Sequence, residues 1–168
     1  REAAKLVEGI RERLDRKLVV TLIGPCGSGK STLLNALSGV DGLSPAGIDR
    51  PTTRQVVIFG KDRSDADAFA ALHPELSVRM QTAESARHLD HLLLVDTPDT
   101  DSSEAEAHRG AVDAAVAASD VLLCVFDAEN PKRRDHIDFL APYVQRFGGD
   151  SLLALLNRCD RLDEDELK

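Results

Sequence analysis

The most specific chemical spacing in the chain lies in residues 24–32, which read GPCGSGKST. Gly24 and Gly29 bracket four residues and are followed by Lys30 and Ser31, a spacing that wraps backbone amides around phosphate oxygens. Lys30 would bring a positive charge to the terminal phosphates, and Ser31 would offer a hydroxyl to a magnesium ion. Pro25, Cys26, Gly27, Ser28 and Thr32 complete the cradle. Further polar residues sit beside apolar runs: Thr53 ahead of VVIF, Asp96 and Asp99 after LLLV, and Asn157, Arg158 and Asp160 after LLALL. Together they describe a site for a phosphorylated ligand and a divalent cation.

Such a site needs elements that hold it. LVVTLI over Leu18–Ile23 is a β-branched, nearly continuous apolar run, the pattern of a strand buried on both faces. The glycine loop follows directly, and residues 31–37 then read as a helix whose first amides point back at the loop. Similar strands are predicted at 55–59, 92–95, 121–126 and 152–156, with helices at 103–118 and 135–147, the latter broken or bent near Pro142. Residues 66–72 fit a short helix and 76–80 a short strand. Strands alternating with helices predict an α/β fold, a mostly parallel sheet with helices on both faces and the ligand at the carboxyl ends of the strands.

The bulk numbers bound this reading. The chain has 168 residues, 42% hydrophobic, enough for one packed domain, and its net charge of -8 argues against a surface that binds nucleic acid through its phosphates. Cys26, Cys124 and Cys159 stand far apart, which supports neither a zinc site nor a disulfide framework and suits a cytoplasmic protein. His88 and His91 have no ligand cluster around them and read as surface histidines. No apolar run approaches the ~20 residues of a membrane span. In residues 1–17, Leu6, Ile10 and Leu14 form one apolar stripe, predicting an amphipathic N-terminal helix that packs on its own domain or on a partner helix.

Residues 24–39 alone resemble the start of an ATP-binding-cassette ATPase. That family, however, has Asp-Glu at the end of the later strand, where this chain has Asp96-Thr97-Pro98, and a Leu-Ser-Gly-Gly-Gln signature ahead of that strand. Here Leu37-Ser38-Gly39-Val40 directly follows the loop and lacks the second Gly and the Gln. Asn157-Arg158-Cys159-Asp160 instead resembles the Asn-Lys-x-Asp box of regulatory GTPases, in which the Asp accepts hydrogen bonds from guanine. Asp96-Thr97-Pro98-Asp99 resembles their Asp-x-x-Gly box, and Arg50-Pro51-Thr52-Thr53-Arg54 resembles the switch of the Era-like and dynamin-like members. The chain is thus similar to a translation-factor-class P-loop GTPase domain of the dynamin-like or Era-like subgroup.

The resemblance implies binding of GTP or GDP with Mg2+, and hydrolysis of GTP. Lys30, Thr53 and Asp96 would be catalytic. Ser31, Thr53 and, through water, Asp96 would serve the metal, with Thr52 the alternative to Thr53. Asp160 would read guanine and the stem of Arg158 would lie along the base. Asp99 replaces the phosphate-sensing Gly, and Thr100 and Asp101 follow where Ras-like members have a water-positioning Gln, so intrinsic hydrolysis is expected to be slow unless a partner or second copy completes the site. The alternative is a nucleotide-gated interaction module that hydrolyses little; an ATPase or kinase ranks below both.

Residues 18–168 are expected to form the GTPase domain, with an insertion at about 61–90 that serves either as structural elaboration or as a partner surface. The resemblance also implies a last strand and helix beyond Lys168, a larger parent protein, a nucleotide-dependent homodimer, and membrane contact only through other regions.

Overall fold

The computed structural model describes residues 16–43, 56–98, 105–131 and 134–163. In chain order these form β1 (Leu18–Ile23), α1 (Lys30–Ser38), β2 (Val56–Gly60), α2 (Arg63–Leu72), β3 (Val78–Thr82), β4 (Leu92–Asp96), α3 (Ala105–Ala117), β5 (Val121–Asp127), α4 (Arg134–Val144) and β6 (Leu152–Asn157). Single 3-10 turns at Arg87–Leu89 and Cys159–Arg161 precede β4 and follow β6. The expected N-terminal helix falls on residues outside the described ones, apart from Arg16 and Lys17.

The strands make one six-stranded sheet in the order β3-β2-β4-β1-β5-β6. Every pair is parallel except β2 with β4, where Val57 lies opposite Asp96 and Phe59 opposite Leu94. The α/β sheet expected from the alternation of elements is therefore observed. Successive side chains of a strand point to opposite faces, and the core divides accordingly. Val19, Ile58, Leu93 and Val95 meet Phe69 of α2 and Ala115 of α3 on one face, where Ile23, Leu122 and Cys124 also meet Val112 of α3 and Leu140 of α4. Leu22, Phe59, Leu94 and Val125 meet Leu34 of α1 on the other.

Residues 61–90 add an outer strand to the sheet. From β2 the chain crosses through α2 and returns as β3, parallel to β2, with Val56 opposite Val78 and Gly60 opposite Thr82. This leaves β2 between two neighbours, and Val56 and Ile58 are fully buried. Pro142 does not break its helix; it sits two residues before the end of α4, where the missing amide costs one hydrogen bond of the last turn. On the opposite edge of the sheet, β6 exposes Leu153 and Leu156 among the described residues.

The end of the sheet away from the phosphate loop is tied by Asp120. Its backbone N–H donates to the Val19 carbonyl at 2.9 Å, its carboxylate accepts the Val19 N–H at 2.9 Å, and the same carboxylate pairs with Arg16. Asp120→Ala would strand the N–H of a residue that is 2% exposed, at a cost of about 1.5–3 kcal/mol. A lowered denaturant midpoint is the expected result in chemical unfolding, with no change in the contacts of residues 24–32, since the residue lies at the other end of the strands.

Candidate functional site

Parallel pairing places the carboxyl ends of β1, β4, β5 and β6 on one edge, and antiparallel pairing makes the chain enter β2 at that same edge. The phosphate loop leaves β1 there. Gly24 lies where a Cβ would stand 2.6 Å from the Val125 carbonyl oxygen, so the loop can begin only without a side chain. Gly27 and Gly29 adopt φ of 76° and 95°, backbone conformations open to glycine at little cost. A Cβ on Gly29 would also overlap the side-chain amide of Asn157. Within the loop the Ser28 amide donates to Pro25 at 3.3 Å, and α1 then starts at Lys30.

Lys30 is 3% exposed, and its ammonium donates to the carbonyls of Gly24 at 2.8 Å and Pro25 at 2.9 Å. The charge is therefore held inside the loop and pointed along it. Ser28 and Ser31 are each 1% exposed, and neither hydroxyl oxygen has a hydrogen-bond partner among the described residues. Buried hydroxyls without partners carry a desolvation cost that a ligand can relieve. At the same end of the sheet Asp96, 4% exposed, ends β4 directly across from Leu22. The next residue, Thr97, donates its hydroxyl to the Leu22 carbonyl at 2.9 Å and so fixes the exit of β4 against β1. A buried carboxylate, an unpartnered buried hydroxyl and an amide-rich turn are a donor set that fits a hydrated divalent cation and phosphate oxygens.

The opposite end of the site is built on β6. Asn157 ends that strand and donates its side-chain N–H to the Ser28 carbonyl at 2.8 Å, joining segments 129 positions apart in the chain. Arg158 follows at φ 64°, the non-glycine residue in the left-handed region among the described residues, and turns the chain into the 3-10 turn that carries Asp160 exposed at the rim. Its guanidinium is bound to Asp127, Nη1 to Oδ2 at 2.6 Å. Asp127 was not apparent as a site residue from the sequence, because a lone Asp closing an apolar strand looks like a turn signal. The bridging role of Asn157 was equally hidden, since the spacing of its motif speaks only for the residues that follow it.

The structure thus brings residues 24–32, Asp96, Asn157, Arg158 and Asp160 to one edge of the sheet. Thr52, Thr53, Asp99, Thr100 and Asp101 lie outside the described residues, as do Arg50 and Arg54. His88 packs on Gly39 at the end of α1, and no group of three or more metal-ligating side chains occurs among the described residues. No helix among them is long and apolar enough to cross a membrane.

A family model described as 50S ribosome-binding GTPase matches residues 19–158. No curated protein matches the chain. Among solved structures, a variant of Aquifex aeolicus Era bound to GDP.AlF4- superposes with a TM-score of 0.62 at 18% identity, over 90% of this chain and 44% of that one. Era in complex with MgGDPNP and a segment of 16S ribosomal RNA gives the same values. A protein of an oligomerised bacterial dynamin pair that senses and tethers membranes superposes with a TM-score of 0.65 at 15% identity, over 98% of this chain and 31% of that one. The chain therefore spans less than half the length of these proteins, and at such identities the likeness is one of fold.

Proposed function

The chain belongs to the 50S ribosome-binding GTPase family, and from that premise we propose that it binds GTP and GDP with Mg2+ and hydrolyses GTP slowly. The observation that supports the proposal is the Asn157 bridge to Ser28, which joins the Asp160 segment to the phosphate loop, as the two ends of one nucleotide site would require. The Era structures hold guanine nucleotides, which supports the same ligands here.

In this reading the loop amides and the Lys30 ammonium bind the phosphates and stabilise charge that grows on the transferring group. Ser31 and, through water, Asp96 would hold the cation, with Thr53 completing that set. Mg2+ supplies Lewis-acid neutralisation of the phosphate oxygens when bound. A water oxygen bonds to the terminal phosphorus as the bond from that phosphorus to the bridging oxygen breaks; one water proton stays on the new hydroxyl and the other passes to a phosphate oxygen, yielding GDP and phosphate. Asp160 accepts hydrogen bonds from the two guanine donors that adenine lacks. Asp99 and the residues after it offer neither the usual glycine nor a water-positioning glutamine, which supports a slow reaction and a need for a partner or a second copy of the chain.

Calorimetric titration with GTP, GDP and ATP tests the binding claim; equal affinity for ATP would overturn it. Single-turnover hydrolysis tests the chemistry. A tight GTP complex with no phosphate release would instead favour a nucleotide-gated interaction module, the reading that Asp99 supports.

Thiol labelling gives an independent check of the site. Cys26 is exposed in the phosphate loop, whereas Cys124 is buried and burial pushes its thiol up to about 11. At pH 8 a thiol of that pKa is only about one part in a thousand thiolate. Alkylation of Cys26 should be rapid and slowed by GDP with Mg2+, and Cys124 should stay unmodified until the protein unfolds. Labelling of Cys26 that is indifferent to nucleotide would count against its place in the site.

A further inference from the structure

We infer that Asp127 is a positioning residue for guanine selectivity, acting through Arg158; this rests on the reading of Asp160 as the guanine-binding group. Asp127 closes β5 in register with Asn157, and the amide of the next residue, Ala128, donates to the Asn157 carbonyl at 2.9 Å. One oxygen of its carboxylate accepts the Glu129 N–H at 3.1 Å, which orients the group, and the other takes the Arg158 guanidinium at 2.6 Å. The two side chains are 22% and 29% exposed, so this pair is shielded from water to a degree that most surface ion pairs are not.

The backbone explains why a clamp is needed. Arg158 holds a left-handed conformation that a branched or long side chain rarely adopts without outside support. That conformation begins the turn bearing Asp160, and the turn closes with the Arg161 N–H donating to the Arg158 carbonyl at 3.0 Å. On its far side the Arg161 guanidinium binds Glu129 at 2.9 Å. Both residues flanking the turn are thus anchored to the end of β5, and the direction in which Asp160 presents its carboxylate depends on those anchors. Asp127 reaches no part of the ligand in this scheme; its effect passes through the angle at which the Asp160 carboxylate meets the base.

GTP and ITP, which lacks the exocyclic amine, separate positioning from general folding effects. Asp127→Asn and Arg158→Gln should each narrow the ratio of GTP to ITP affinity about tenfold, and the double variant should be no worse than either single one, because both remove the same clamp. Arg158→Gln leaves the Asp127 turn intact, so it carries the test if Asp127→Asn does not fold. A wild-type protein that prefers GTP to ATP, combined with variants whose GTP to ITP ratio is unchanged or whose losses add, would overturn the positioning role alone. A wild-type protein with no preference for GTP over ATP would remove the guanine reading itself, and the inference with it.

Discussion

Lys30→Ala should abolish measurable GTP turnover, lowering the single-turnover rate by about 100- to 1,000-fold, the usual loss when one preorganised donor to a transferring group is removed. Lys30 is expected to have this effect because its ammonium is almost fully buried and already aimed along the loop by the Gly24 and Pro25 carbonyls. Little reorganisation is then required when phosphate replaces a carbonyl as its partner. Nucleotide affinity should fall as well, since a charge-assisted contact to phosphate disappears. The substitution also leaves two carbonyls without their donor, a loss of about 1–3 kcal/mol in stability. Thermal unfolding measured beside the assay separates the two effects. Phosphate release that survives the substitution, in a protein that remains folded, would mean that another group does the work assigned to Lys30.

Asp160→Ala should collapse the preference for GTP over ATP. Two hydrogen bonds from guanine to a charged carboxylate contribute about 1.5–3 kcal/mol each, so GTP affinity is expected to fall about 100-fold or more. ATP affinity should hold or improve slightly, because adenine offers the carboxylate no matching pair of donors. The contrast with Lys30→Ala is diagnostic: one variant loses the terminal phosphate without changing base choice, the other loses base choice while keeping the phosphate loop intact. Titration of both variants with both nucleotides measures this directly. An Asp160→Ala protein that still favours GTP as strongly as the wild type would place base recognition elsewhere.

Much of this is legible in the sequence. The strand, glycine loop and helix around residues 18–38 are contiguous, and phosphate recognition by backbone amides needs little beyond that local order. The apolar runs at 92–95, 121–126 and 152–156 became strands whose bounds shift by a residue, because β-branched and leucine-rich runs of that length have few other ways to bury themselves. The weak signals between residues 61 and 90 did correspond to a helix and a strand. Their role was not legible, since a half-exposed strand such as β3 reads the same whether it pairs with β2, pairs with another element or stands alone.

The sequence by itself determined the local machinery: an α/β alternation, a loop able to surround phosphate, and carboxylates and amides at the ends of apolar runs. Only the tertiary structure decided that β2 runs antiparallel to β4 and enters the sheet at the edge of the site, that residues 61–90 extend the sheet, that Asn157 reaches back to Ser28, and that Asp127 grips Arg158. The physical reason is range. Propensity and side-chain period act over a few neighbouring residues, whereas strand direction and side-chain clamps between distant segments depend on which edges meet when the chain packs.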